Sequence, residues 1–376
     1  MSFKILFISS WFPNKLEPTN GNFVQRHAEA VSLLHDVEVL HAIGDFNQKE
    51  KFVFDEKIIN GIRTLIVYYK NSKNPLQNFL RRMKAYTLGF KKMQKPDLMH
   101  GNILQNDMFF AVFMKKKLGI PFVISEHWDI FQLSNREKLN ITKRKIAEYI
   151  SKNAALVLPV SFDLKNGLEE FVNENKLKVI GNVVDTDLFT PKENATYHKF
   201  RFLHVSNLVA SQNVDKIILA AIELKKENFD FILEIGGDGD YTEMLNLVNE
   251  QKAANFIEVF GKISHQEVAE KMKNSDCFII FSENETQSCV VLEALSVGLP
   301  IISSNVGALP ESVSNGNGIL IEKGNIEVLK KAMKNVINQN VTLNSSEDRR
   351  NFVVENFSKT VISRKFSMIY DAILKP

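Results

Sequence analysis

The sequence predicts an α/β protein built from two doubly wound, parallel-sheet units. Short runs of Ile, Val, Leu and Phe alternate with helical patterns along all 376 residues. Near-continuous apolar runs of this length mark strands buried on both faces. The length itself exceeds what one hydrophobic core usually serves. A polar, turn-rich stretch near 181–199 separates two similar α/β series, and Phe202 opens the second. A composition of 44% hydrophobic and 24% charged residues excludes disordered, collagen-like and coiled-coil chains.

In chain order, strands are expected at 4–9, 36–41, 98–101, 122–125, 156–159 and 178–180. A second set follows at 202–205, 231–235, 257–260, 277–282 and 300–303. Helices are expected at 22–34, 215–226, 241–251, 265–274, 289–297 and 360–374. The segments 46–54 and 131–140 read as loops. The domains run 1–184 and 185–358, with 359–376 as a terminal helix that packs back on the first. Open parallel sheets bind ligands at the carboxyl ends of their strands, so two such units are expected to face a central cleft.

Two cysteines, Cys277 and Cys289, are too few for a disulfide framework or a zinc site. No apolar run approaches the ~20 residues of a membrane span. The apolar start, Phe3 to Ile8, is too short for a signal segment and runs into Trp11-Phe12-Pro13. A cytoplasmic setting is expected. Charge is uneven: residues 1–190 hold 27 basic and 20 acidic side chains, and residues 191–376 hold 20 and 24. A basic front half favours anionic ligands or surfaces.

The sharpest chemical signal is Glu285 and Glu293, around the loop Thr286-Gln287-Ser288-Cys289-Val290. A strand ends near Ser282, and Ser288 reads as the N-cap of a helix. Amides at the helix start, with the helix dipole, suit a diphosphate. Carboxylates on either side suit the hydroxyls of a ribose and a sugar. A bare pair of this spacing is also what two surface glutamates on a helix would give.

With Ala294-Leu295-Ser296-Val297-Gly298-Leu299-Pro300 following, this stretch resembles the E-x7-E motif of retaining family 4 glycosyltransferases, which have the GT-B fold. The resemblance spans nearly the whole chain. It includes the glycine loop Asn20-Gly21-Asn22 and the strand Pro96-Asp97-Leu98-Met99-His100. It also includes Asn182 through Phe189, Gly236-Gly237-Asp238-Gly239 and Asn305 through Glu311. It implies that Glu293 meets the nucleotide ribose, Glu285 the donor sugar, and Thr286 to Val290 the diphosphate. His127, after the apolar run 122–124, is similar to the family's histidine at the sugar. Read from composition alone, it is as readily a structural histidine. Gly21, Asn22 and Arg26 are placed at a phosphate or acceptor loop, although Gly21 is as readily a simple turn glycine; Arg26 and His27, on the first turn of the helix, either add positive charge there or face solvent.

One departure stands out. Asn207 occupies the place of the family's Arg, and Gln212 that of its Lys, both of which neutralise the diphosphate. Lys216 and Lys262 are the nearby candidates to replace them. Asp185-Thr186-Asp187 and Asp238-Gly239-Asp240 each spell D-x-D, but lie in a linker and a glycine turn, so no metal site is expected. The glycine turn lacks the third glycine of a dinucleotide fingerprint.

The basic half carries Arg81, Arg82, Lys84, Lys91 and Lys92 among large apolar residues, with Lys115-Lys116-Lys117 and Lys143-Arg144-Lys145. These clusters read either as solvated helix faces or as a surface that docks on anionic lipid. They match no nucleic-acid module. The resemblance therefore implies a metal- and cofactor-independent, retaining glycosyltransferase. Its substrate is a nucleotide sugar, its acceptor a glycan or lipid-linked molecule, and its position cytoplasmic or peripheral on the inner membrane face. The acceptor hydroxyl would attack from the leaving-group side. The alternatives are a catalytically weak glycan- or nucleotide-binding partner in a polysaccharide-synthesis complex, and an epimerase on the same fold.

Overall fold

The computed structural model describes residues 2–191 and 199–375, and the expected polar segment 192–198 lies outside them. The chain divides into two α/β units, Met1–Val183 with Lys359–Pro376, and Val184–Ser358.

The first unit holds β1 (Lys4–Ser9), β2 (Asp36–Asp45), β3 (Phe52–Ile59), β4 (Ile62–Lys70), β5 (Leu98–Asn102), β6 (Phe122–Glu126) and β7 (Val157–Pro159). Their order is β3-β4-β2-β1-β5-β6-β7. All neighbours are parallel except β3 and β4, which form an antiparallel hairpin on the edge. The expected loop 46–54 therefore runs into a strand. Lys178 and Ile180 bond along β7, to the carbonyls of Val157 and Pro159 at 3.2 and 3.0 Å, yet make only a bridge rather than the expected strand. The expected loop 131–140 contains a short 3-10 turn, Leu133–Lys138.

Alternation along β1 shows why both faces are covered. Leu6 and Ile8 enter one apolar cluster, while Ile5 and Phe7 enter the other. The second cluster includes Ile362, Phe366 and Tyr370 from the helix Lys359–Leu374, which packs on the helix Asn22–Val31. Tyr370 Oη and His100 Nδ1 lie 2.6 Å apart, a buried polar tie inside that apolar layer.

The second unit is β8 (Phe200–Ser206), β9 (Phe231–Gly237), β10 (Ile257–Phe260), β11 (Cys277–Ile280), β12 (Ile301–Ser304) and β13 (Gly318–Ile321). They form one parallel sheet ordered β10-β9-β8-β11-β12-β13. Numbered within the unit, that order is the dinucleotide-fold sequence of a doubly wound sheet. Strand direction of growth reverses between β8 and β11, and the crevice at their carboxyl ends is where such a sheet receives a ligand.

Candidate functional site

The switch point of the second unit carries the sharpest polar cluster. Gln212 follows β8, and Ser282, Glu283 and Glu285 follow β11. Gln212 Nε2 donates to Glu285 Oε1 at 3.2 Å. Ser282 Oγ lies 2.8 Å from Gln212 Oε1 and 2.9 Å from Glu285 Oε1, so its single proton serves one acceptor at a time. Ser304 Oγ donates to the Ser282 carbonyl at 2.7 Å, and Ala308 N to the Glu285 carbonyl at 3.0 Å. The loop that carries Glu285 is thus tied to β12 and to the turn beyond it.

Thr286, Gln287, Ser288, Cys289 and Val290 lead into the helix Cys289–Val297, each half-buried. Ser288 stands at the N-cap, as expected, in extended geometry, and its side chain makes no cap hydrogen bond. Helix-start amides lack intrahelical acceptors, and the dipole adds partial positive charge there, which suits an anion. Glu293 lies farther along this helix, 3% exposed, with Oε1 3.0 Å from His265 Nε2. Glu285 and Glu293 therefore stand at either end of one anion-favouring loop, each fixed by a different side chain.

Neither neutral replacement supplies charge. Asn207 is exposed after β8, and Gln212 is engaged with Glu285. The candidate replacement cations have carboxylate neighbours: Lys216 lies 3.7 Å from Glu283, which Lys323 also approaches at 3.6 Å, and Lys262 lies 3.5 Å from Asp238. The Asn213 amide foremost, with the two lysines, holds the Glu283 carboxyl below its ordinary range. The D-x-D sequences are used locally. Asp185 Oδ1 accepts from Asp187 N and Leu188 N at 3.3 and 3.2 Å, and Asp240 Oδ1 accepts from Thr242 N at 2.9 Å.

In the first unit the order reverses between β1 and β5, and the loops after β1 and β6 carry the other predicted residues. Gly21 caps the helix Asn22–Val31 at φ 74°. A Cβ there would stand 2.4 Å from the Trp11 carbonyl, so the loop requires glycine. Asn22 is exposed and Arg26 half-buried. His27 neither adds charge beside them nor faces solvent. It is fully buried, its Nε2 is 3.1 Å from the Gly181 carbonyl, and burial lowers its pKa to about 4.

His127 is buried under the Phe23 ring, 4.3 Å between centroids, with His27 at 5.3 Å. Neither ring nitrogen has a hydrogen bond of ordinary geometry, although the Asn182 side chain stands beside it. Burial foremost, then His27 and His100, pushes its pKa well below the ordinary value. A neutral imidazole offers one donor and one acceptor, a suitable match for sugar hydroxyls. Glu126 sets the turn beneath it. Oε1 accepts from His127 N and Trp128 N at 2.8 and 2.7 Å, and Oε2 from Leu104 N at 2.5 Å. Burial pushes the Glu126 carboxyl up to about 7, against those three amides.

The basic stretch is not uniformly a solvated face. Arg82 is tucked in, bonded to Asp107 and, at 3.0 Å, to Tyr69 Oη. Arg81 donates to the Lys70 carbonyl. Sequence reasoning missed His265 as a partner of Glu293. The one local signal was the capping box of Ser264 and Glu267, which fixes where that histidine's helix begins.

A family model described as glycosyl transferases group 1 matches residues 185–356, and one described as glycosyltransferase family 4 matches residues 21–188. The chain carries both of these glycosyltransferase domains. N-acetyl-alpha-D-glucosaminyl L-malate synthase of Bacillus anthracis is 26% identical to this glycosyltransferase over 74% of the chain and 75% of the relative. The Escherichia coli UDP-Gal:alpha-D-GlcNAc-diphosphoundecaprenol alpha-1,3-galactosyltransferase is 25% identical over 75% of the chain and 77% of the relative. Among solved structures, Anabaena HepE in complex with UDP matches 98% of the glycosyltransferase and 100% of that chain, with a TM-score of 0.76 at 16% identity. The two parallel-sheet α/β units are those of the GT-B architecture.

Proposed function

We propose that this glycosyltransferase moves a sugar from a nucleotide-sugar donor to a glycan or lipid-linked acceptor with retention, without metal or cofactor. The observation that carries the reading is Glu285 and Glu293 at the two ends of the Thr286–Val290 loop, at the switch point of the second sheet. In this reading the loop amides hold the diphosphate, Glu293 the ribose and Glu285 the sugar. Asn207 and Gln212 border the same site, and His127 offers its neutral ring to sugar hydroxyls. The acceptor is assigned to the first unit, with Gly21, Asn22 and Arg26 at its phosphate or acceptor loop.

In the transfer, the bond from the anomeric carbon to the diphosphate oxygen breaks. The acceptor oxygen bonds to that carbon from the leaving-group side, and its proton passes to the departing diphosphate. Helix-start amides aimed at that diphosphate stabilise the charge it gains. Two features support metal independence: Asp185 serves a local turn, and Asp238 stands opposite Lys262.

The two relatives act, by name, on malate and on a lipid diphosphate, so the acceptor class rests on the basic first unit. Leu76 and Leu80 on the helix Pro75–Phe90, and Phe113 on Phe109–Leu118, are exposed near Lys84, Lys116 and Lys117. Such a face suits an anionic membrane, which supports a peripheral position on the inner face of the cytoplasmic membrane. No described helix is long and apolar enough to cross it.

Incubation with a panel of nucleotide sugars and a membrane extract tests the reading by release of nucleoside diphosphate and labelled product. Turnover in the presence of EDTA supports it; no turnover with any donor contradicts it. The engagement of Gln212 with Glu285, leaving no cation at that position, favours a second reading, a binding partner of low activity. That reading predicts saturable donor binding with no product.

A further inference from the structure

Glu293 is nearly buried, yet the proposed role asks it to meet a ribose. What holds its carboxylate is His265. This histidine opens the helix His265–Lys273, whose first turn is locked by the capping box: Glu267 N to Ser264 Oγ at 3.2 Å, and Ser264 N to Glu267 Oε2 at 2.8 Å. Its Nε2 meets Glu293 Oε1 at 3.0 Å, on the neighbouring helix Cys289–Val297. The ring is itself braced. Phe189, fully buried, stands edge-on to it at 5.0 Å and 75°.

Phe189 is pinned in turn through its carbonyl, which accepts from Ser296 Oγ and from Arg350 Nη1, both at 2.8 Å. Arg350 also donates to the carbonyls of Ser296 and Thr186 at 2.9 and 3.1 Å. The helix that carries Glu293 and the helix near the unit's end thus converge on Phe189, the residue that braces the imidazole. His265 keeps 42% of its side-chain surface exposed, so it stands at the mouth of the site rather than in the core.

We propose that His265 is a positioning residue that fixes one oxygen of Glu293, so that the carboxylate presents a set geometry to a ribose diol. His265 thereby makes the site selective for ribonucleotides over 2′-deoxyribonucleotides. The inference rests on the assignment of Glu293 to the nucleotide ribose. A carboxylate that must accept from two adjacent hydroxyls gains from being held in one rotamer, because less side-chain freedom is lost on binding. A core histidine with no such role would affect stability and leave sugar discrimination alone.

The test is calorimetric titration of the full chain with UDP and dUDP, ADP and dADP, and GDP and dGDP. Parent, His265→Leu, His265→Gln and Glu293→Ala are compared. Leucine keeps the contact with Phe189 but removes the donor; glutamine restores a donor. The expected result is a parent preference for the ribo form of one pair. That preference falls about tenfold in His265→Leu, to the level of Glu293→Ala, and partly recovers in His265→Gln. An unchanged ribo/deoxy ratio in His265→Leu, with Glu293→Ala losing it, overturns the role of His265 while the ribose assignment stands. If Glu293→Ala keeps the parent's ratio, or if no nucleotide binds the parent, the assignment of Glu293 falls, and this inference with it.

Discussion

Gln212 Nε2 donates to Glu285 Oε1 at 3.2 Å, across the point where the second sheet reverses direction. The residue that stands where the family resemblance expects a lysine is therefore a holder of the carboxylate, not a phosphate cation. Its carbonyl end lies 2.8 Å from Ser282 Oγ, whose one proton it shares with Glu285 Oε1. Removing the amide releases Glu285 without touching the core. Gln212→Ala is expected to lower kcat about tenfold while Tm stays near the parent's. Gln212→Lys adds the missing charge beside the loop and is expected to tighten nucleoside diphosphate binding several-fold. That gain should fade as salt rises. Steady-state kinetics and titration at two ionic strengths check both outcomes.

A buried histidine in each unit makes the fold acid-sensitive. Burial lowers the pKa of His27 and of His204 from 6.5 to about 4. Between those values the unfolded chain binds more protons than the folded one, so stability falls as pH falls from 6.5 towards 4. Each site is worth on the order of 3 kcal/mol by linkage. Glu126 works in the opposite sense in the first unit. Its folded pKa of about 7 exceeds 4.5, so its contribution improves as pH falls through that window. His204 is held by Ile279 O and Ser206 Oγ, both at 2.9 Å. His204→Gln is expected to lose some stability at pH 7.5 and to show a flatter loss towards pH 5. Urea unfolding at the two pH values measures it; a parental slope in the variant contradicts it.

Gly21 is the backbone hinge of the first unit's loop. Alanine there suffers a positive φ and meets the Trp11 carbonyl at 2.4 Å. Gly21→Ala is expected to destabilise the chain by about 2 kcal/mol or more. It should also disturb the contact between Trp11 and Phe23, rings 6.3 Å apart beside His127. Chemical denaturation and tryptophan fluorescence report the two effects separately.

Much of the architecture was legible because buried parallel strands are near-continuous apolar runs, and β1, β6 and β11 read that way, while β2, β5, β8 and β9 keep enough Val, Ile, Leu, Met and Phe around their polar residues to be found. The edge hairpin was missed although its turn, Asn60-Gly61 with φ 48° and 81°, is a recognisable signal. Asp55, Glu56 and Lys57 place charge in the middle of β3, which as an edge strand tolerates it, and that masked the pattern. Glu285 and Glu293 could be picked out because the contiguous residues around them carry the family resemblance; their spacing alone is also that of two surface glutamates. Their holders could not be picked out. Gln212 and His265 reach them from 73 and 28 residues away, contacts that only the folded sheet and helix packing create. His27 was misjudged for the same reason, since its partner Gly181 lies 154 residues on.

The central claim is that the second unit binds a nucleotide sugar through Glu293. Calorimetric titration of the full chain with UDP-, ADP- and GDP-sugars, comparing the parent with Glu293→Ala, tests it most directly. The account predicts saturable single-site binding of at least one donor by the parent, weakened about tenfold or more in the variant. Equal affinity of the two proteins for that donor would contradict it.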